Sequence, residues 1–302
     1  MDGPTLTLQL PTAATYGRWL TDDWRRLVDL ARAAEDAGVD RVAVVDHVVM
    51  GTDSSQYVWA DVELDPNWPW LDPLTLLASI ATSTDVIRLS TRILVAPLRP
   101  AALLAKMAAT IDVLSGGRLD LGVGTGWQRE EYDAEGLDFD RRGELLTETI
   151  AACRALWEHR PASHSSADIS FDGVYCAPAP AQDRLPVWFG GTMHERNVRR
   201  IVELGDGWIP IMQAPLSDVA DGIARLRDAA PDRTFEVQAE LPIVRSSGGA
   251  PDLDATLDQV PATVAAGPTD VFMSLASLEP RPERATSTIA TVGRRFAEIT
   301  GR

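Results

Sequence analysis

Short apolar runs alternate with helix-patterned stretches eight times along this chain, which limits the fold more than any other feature. The runs are Thr5–Pro11, Arg41–Asp46, Arg88–Val95, Arg118–Gly124, Leu185–Gly190, Gly207–Ile211, Thr234–Val244 and Asp270–Ala276. The stretches between and after them (22–37, 72–82, 100–114, 142–157, 194–204, 217–229, 253–265 and 282–299) space their apolar residues at three and four. Asp72-Pro73 reads as an N-cap followed by a first-turn proline, and Gly38 and Ser115-Gly116-Gly117 read as helix stops. R-V-A-V-V-D at 41–46 lacks polar alternation, as expected of a strand buried on both faces. Parallel strands need crossover helices, and eight such units in 302 residues predict a closed (β/α)8 TIM barrel with insertions, the alternative being a doubly wound open sheet. No linker composition divides the chain, so one domain spanning 1–302 is expected, with long insertions at 47–71 and 158–184.

With 44 acidic against 28 basic side chains the net charge is −16, which argues against nucleic acid or an anionic membrane surface as partner. The start, Met-Asp-Gly-Pro, has no basic and then apolar leader, no apolar run approaches membrane-spanning length, and two cysteines suit a reducing compartment; a cytoplasmic location is expected.

In such a barrel the site lies at the carboxyl ends of the strands. Two strands end there in bare backbone: R-L-D-L-G-V-G-T-G at 118–126 and L-P-V-W-F-G-G-T at 185–192. Their N–H groups can face an anion or a flat ring, and Gly190-Gly191-Thr192 leads into a helix near His194, a favourable place for a phosphate. Arg196 and Arg199 are either extra charge for it or ordinary solvated residues. The same ends carry one imidazole, His47, beside Asp46, and few carboxylates. Four histidines without paired spacing give no metal centre, there is neither a G-x-S-x-G elbow nor a P-loop, and Lys106, the only lysine, lies mid-helix where it would not serve an aldolase. What remains suits chemistry carried by a bound cofactor acting on a small molecule. Trp59, Trp68 and Trp70 in the first insertion are either a lid or local packing.

The strings V-V-D-H-V-V (44–49), R-L-S-T-R-I-L-V-A-P-L-R (88–99), D-V-L-S-G-G-R-L-D-L-G-V-G-T-G-W-Q-R-E-E-Y (112–132), F-D-R-R-G (139–143), P-V-W-F-G-G (186–191) and L-G-D-G-W-I-P (204–210), in this order, resemble the luciferase-like family, most of all its branch using the deazaflavin coenzyme F420. The resemblance implies a luciferase-like TIM barrel, a homodimer and an oxidoreductase that passes hydride between F420 and an organic substrate, with FMN as the alternative cofactor. It places His47, next to Asp46, beside the ring as the candidate catalytic residue. Thr91, Arg92 and Ile93 would back the ring through a non-proline cis peptide at Arg92-Ile93. Gly124, Thr125, Gly126, Trp127 and Gln128 would contact the ring or its side chain, and Gly190, Gly191 and Thr192 the phosphate. One departure matters: sugar-phosphate dehydrogenases of the family carry a glutamate directly after G-T-G, whereas this chain has Trp127, with Glu130 and Glu131 expected on the following turn. An FMN-dependent monooxygenase and a cofactor-binding protein without turnover are the rival readings.

Overall fold

The computed structural model describes residues 3–12, 23–53 and 65–302. In chain order the elements are β1 (Thr5–Gln9), α1 (Arg26–Asp36), β2 (Arg41–Val44), α2 (Pro73–Ala81), β3 (Arg88–Thr91), β4 (Leu94–Val95), α3 (Ala101–Ser115), β5 (Leu119–Gly124), α4 (Arg129–Ala134), α5 (Arg142–Glu158), β6 (Ala162–Ser165), β7 (Ser170–Val174), β8 (Val187–Gly190), α6 (Glu195–Leu204), β9 (Gly207–Ile209), α7 (Leu216–Ala229), β10 (Glu236–Glu240), α8 (Leu253–Leu257), α9 (Val260–Ala265), β11 (Asp270–Ser274), α10 (Leu275–Leu278) and α11 (Ala285–Thr300). Asp22, the expected helix start, and Trp59 lie outside the described residues.

The strands pair in parallel in the order β3-β2-β1-β11-β10-β9-β8-β5-β4, and β3 also pairs with β5, so the sheet closes on itself. β3 and β4 are one barrel strand interrupted around a cis Arg92-Ile93 peptide: Leu89 and Ser90 sit opposite Leu119 and Asp120, while Leu94 and Val95 sit opposite Val123 and Gly124. The result is an eight-stranded parallel barrel ringed by helices, the predicted architecture. Local chemistry sets the boundaries. Asp72 caps α2 by accepting from the Thr75 N–H at 2.8 Å, and α3 stops at Gly116, whose left-handed φ of 68° suits glycine.

Two readings need correction, and one insertion carries secondary structure of its own. The stretch 253–265 is two short helices, α8 and α9, with Pro261 in the first turn of the second. The insertion 158–184 holds an antiparallel hairpin, β6–β7, outside the barrel sheet. The strand from Asp270 stops at Ser274, and Leu275–Leu278 turns helical. Among the described residues no helix is long and apolar enough to cross a membrane.

The lower barrel interior is polar. Arg41, 5% exposed, donates through Nε to Asp120 at 2.7 Å and through Nη1 to Asp270 at 2.8 Å, with its guanidinium over the Trp188 ring. Asp270 also accepts from Thr5, Thr7 and Gln238, and Arg88 grips Asp120 from the side. Burial pushes the Asp120 carboxyl up, but Arg41 and Arg88 outweigh it and leave it below the usual range. For Asp270 burial outweighs Arg41 and its hydrogen bonds, and its carboxyl is raised. A strand "buried on both faces" can therefore carry an arginine, provided its partners are built in.

Candidate functional site

Above this network, at the carboxyl ends of the strands, lies a cavity of about 290 Å³. Its walls are largely apolar: Val45 after β2, Ile93 and Val95, Ile209 to Met212 at and beyond the end of β9, and the indoles of Trp70 and Trp127. Of the residues expected in the site, Asp46, His47, Arg92, Ile93, Gly124, Thr125, Gly126, Trp127, Gly190 and Gly191 line it. Thr91, Gln128 and Thr192 do not appear in the lining.

Asp46 faces the cavity but its carboxylate is committed. It accepts from the Val95 N–H at 2.8 Å and from both terminal nitrogens of Arg99 at 2.7 and 2.9 Å, and Arg99 continues to Asp72. This clamp joins the ends of β2 and β4 to the cap of α2 and fixes where His47 leaves the sheet. His47 packs nearly perpendicular to two indoles, with ring centroids 4.5 Å from Trp70 and 5.7 Å from Trp127. Its Nδ1 lies 3.2 Å from Oε2 of Glu131, a fully buried carboxylate whose Oε1 accepts from the Val48 N–H at 2.8 Å. The sequence pattern places Glu131 on a turn, whereas in the structure it lies on the short helix α4. A usable signal was the three-residue spacing of Gln128 and Glu131, which puts both on one face of a helix. Gln128, 1% exposed, turns away from the cavity to bond the N–H of Gly51 and, at 3.0 Å, the carbonyl of Val49. Both residues hold the segment carrying His47.

The glycines have divided tasks. A Cβ on Gly124 or Gly190 would come within 3.0 or 2.9 Å of the Ile93 side chain, so these two make room for Ile93 to form the floor. Thr91 sits beneath, fully buried and donating to the carbonyl of Gly122 at 2.6 Å. Arg92 is directed into the barrel, bonding Gln238 and Glu240 and covering the Phe272 ring. Gly191 has φ of 120°, which L side chains rarely adopt; its N–H donates to the Ile209 carbonyl and its carbonyl accepts from Trp208 Nε1. Trp208, read from sequence as part of a plain strand start, thus shapes the glycine loop. Thr192 is exposed, its carbonyl held by Asn197 Nδ2. His194 caps α6, accepting the Asn197 N–H on Nδ1 at 3.2 Å. Burial, and after it Arg200, Arg196 and Arg225, hold the His194 imidazole below its ordinary value. Burial and Arg196 pull the Arg200 guanidinium down to about 10. The start of α6 is therefore electropositive apart from its helix dipole, and Arg196, left open by the sequence, contributes to that field.

Trp70 Nε1 is a buried donor without a partner on the cavity wall. Of the three loop tryptophans, Trp68 is absent from the lining and Trp59 is outside the described residues. No group of three or more His, Cys, Asp or Glu side chains able to hold a metal occurs among the described residues.

A cavity at the carboxyl ends of the strands of a closed parallel barrel lies where barrel enzymes place their active sites. The chain belongs to the luciferase-like monooxygenase family, whose sequence model matches residues 5–251. It is 33% identical over 183 residues to an uncharacterised protein of Mycobacterium tuberculosis, a match covering 59% of this chain and 65% of that protein's length. Among solved structures it superposes on monooxygenase RslO1 from Streptomyces bottropensis (TM-score 0.75, 18% identity, 98% and 99% of the two chains). It also superposes on the F420-dependent tetrahydromethanopterin reductase of Methanopyrus kandleri (0.72, 15%, 99% and 99%) and on the FMN-bound oxygenating constituent of a Pseudomonas putida diketocamphane monooxygenase (0.70, 13%, 98% and 98%). At these identities the likeness is one of fold, and the neighbours include both F420-dependent and flavin-dependent enzymes.

Proposed function

We propose that this protein is an F420-dependent oxidoreductase that passes hydride between the deazaflavin and an apolar organic substrate, acting as a cytoplasmic homodimer. The observation that carries the reading is the cavity itself: an apolar, indole-walled space with one imidazole, His47, beside a glycine loop that leads to an electropositive helix start.

The residues present fit such a cofactor. Ile93, seated between Gly124 and Gly190, offers a flat apolar floor for a ring. The unpartnered Trp70 Nε1 can donate to a ring carbonyl, and the N-terminal turn of α6 with Arg196 can hold the phosphate. When bound, a deazaflavin supplies two-electron hydride chemistry at its C5. The chain's part is to orient, exclude water and handle the accompanying proton through His47. Trp127, where an acid would act on a sugar phosphate, presents an indole that has no titratable proton near neutrality and a broad apolar face. The FMN-dependent monooxygenase is the second reading, supported by the fold likeness to the FMN-bound neighbour.

The test is reduced F420 mixed with the purified protein and a panel of hydrophobic carbonyl and enone compounds, and oxidised F420 with glucose 6-phosphate, each followed by F420 absorbance. Turnover of an apolar compound and none of the sugar phosphate is expected. Appreciable bleaching with glucose 6-phosphate sinks the substrate argument.

Gly191→Ala gives a narrower check. Its φ of 120° is strained for alanine, and the loop it shapes must relax away from the start of α6. The backbone strain should cost about 1–3 kcal/mol of stability. The Kd for both F420 and FMN should rise at least tenfold, because each carries the phosphate. Normal affinity in the folded fraction makes the glycine purely structural.

A further inference from the structure

We propose that Glu131 is a positioning residue for His47: its carboxylate keeps the proton of the neutral ring on Nδ1 and leaves Nε2 unprotonated toward the cavity. The reading rests on His47 serving the site described above, but its evidence is separate. Nδ1 of His47 and Oε2 of Glu131 lie 3.2 Å apart, both atoms are buried, and both lack a hydrogen bond, so a proton between them would complete the pair. An ionised carboxylate only accepts, so the nitrogen opposite it must be the donor. In a neutral imidazole one nitrogen donates and the other accepts, which fixes Nε2 as the acceptor.

The surroundings allow little else. The ring packs nearly perpendicular to Trp70 and Trp127, whose indole N–H groups only donate and so offer Nδ1 no acceptor. Glu131 is held in turn by the Val48 N–H on its other oxygen, and Gln128, one turn earlier, bonds both Val49 and Gly51. Two residues at the start of α4 therefore fix the segment 47–51 from below, one of them through the ring. Asp46, the neighbouring carboxylate, is spoken for by Arg99 and the Val95 N–H and does not compete for the imidazole. An Nε2 lone pair open to the cavity makes His47 an acceptor for a proton from a substrate O–H or N–H. The imidazolium so formed keeps its Nδ1–H on the Glu131 carboxylate, which offsets the new charge within a buried pair.

The experiment needs neither cofactor nor substrate. The full chain is labelled with 15N-histidine, and long-range proton–nitrogen correlation spectra are recorded up the pH scale until the ring is neutral. The chain has only four histidines, and His47→Ala assigns the signal of interest. The wild-type His47 ring should be the Nδ1–H tautomer. Glu131→Gln keeps a carbonyl oxygen for the Val48 N–H but can also donate, so the tautomer should shift toward Nε2–H while Glu131→Asp retains Nδ1–H. Cofactor Kd in Glu131→Gln should stay within about twofold of wild type while turnover falls by about 10–100-fold, the range found for carboxylates that orient metal-bound histidines. A wild-type ring protonated on Nε2, or a tautomer unchanged in Glu131→Gln, overturns the proposal, and the wild-type spectrum decides alone where the variant does not fold. Failure of F420 to bind would leave the tautomer result intact, so the two readings fail separately.

Discussion

Arg41→Met should be the most damaging single substitution in the barrel. It removes the cation that joins Asp120 and Asp270 in a fully buried network, and Asp270 has no other ion-pair partner among the described residues. Removing one member of a buried pair leaves an uncompensated charge and costs about 3–5 kcal/mol. Domain stabilities are about 5–15 kcal/mol, so much of the fold's margin would go. Asp120 keeps Arg88, so the loss concentrates on Asp270. Its carboxyl is already raised by burial in the native protein and should rise further without Arg41. A folded-state pKa above the unfolded one means that the native state binds the proton more tightly, and stability then falls as pH rises through that range. The deficit of Arg41→Met should therefore be largest near neutrality and shrink on moderate acidification. Urea unfolding at pH 7 and pH 5 tests both points; a loss below about 1 kcal/mol, or one that grows on acidification, contradicts them.

His47→Ala should have the largest functional effect. Loss of a positioned proton-transfer group costs about 10²–10⁴-fold in turnover. The fold should survive, though not untouched. The contacts of His47 with Trp70 and Trp127 vanish, and Glu131 Oε2 loses the imidazole facing it at 3.2 Å, a penalty of about 1–3 kcal/mol. His47→Gln can donate to Glu131 and should recover part of the stability without recovering turnover. Thermal melts paired with hydride-transfer assays separate the two. Wild-type rates in both variants would reduce His47 to a packing residue.

Much of this molecule was legible because strand and helix periods leave a local mark. Runs such as Arg41–Asp46 and Arg118–Gly124, each followed by a stretch with helical spacing, predicted the barrel. Most residues expected at the strand ends line one cavity, since in a parallel barrel every strand delivers its carboxyl end to the same face. Side-chain direction left no such mark. Gln128 is adjacent in sequence to Trp127 yet points away from the cavity, and Arg92 is turned inward by Gln238 and Glu240. Their partners lie dozens of residues away, and no local pattern encodes them. Nor does a run of glycines reveal whether the missing Cβ leaves room for a ligand or for Ile93. Glu131 was passed over because a short acidic helix turn reads as solvated, whereas its burial is imposed by the loop packed over it.

The central claim concerns the cofactor, and a side-by-side titration of the purified protein with F420 and FMN tests it most directly. Both carry a phosphate and a tricyclic ring, so the α6 start alone does not separate them. The account predicts saturable F420 binding with a Kd at least tenfold below that for FMN. FMN binding with no detectable binding of F420 would contradict it.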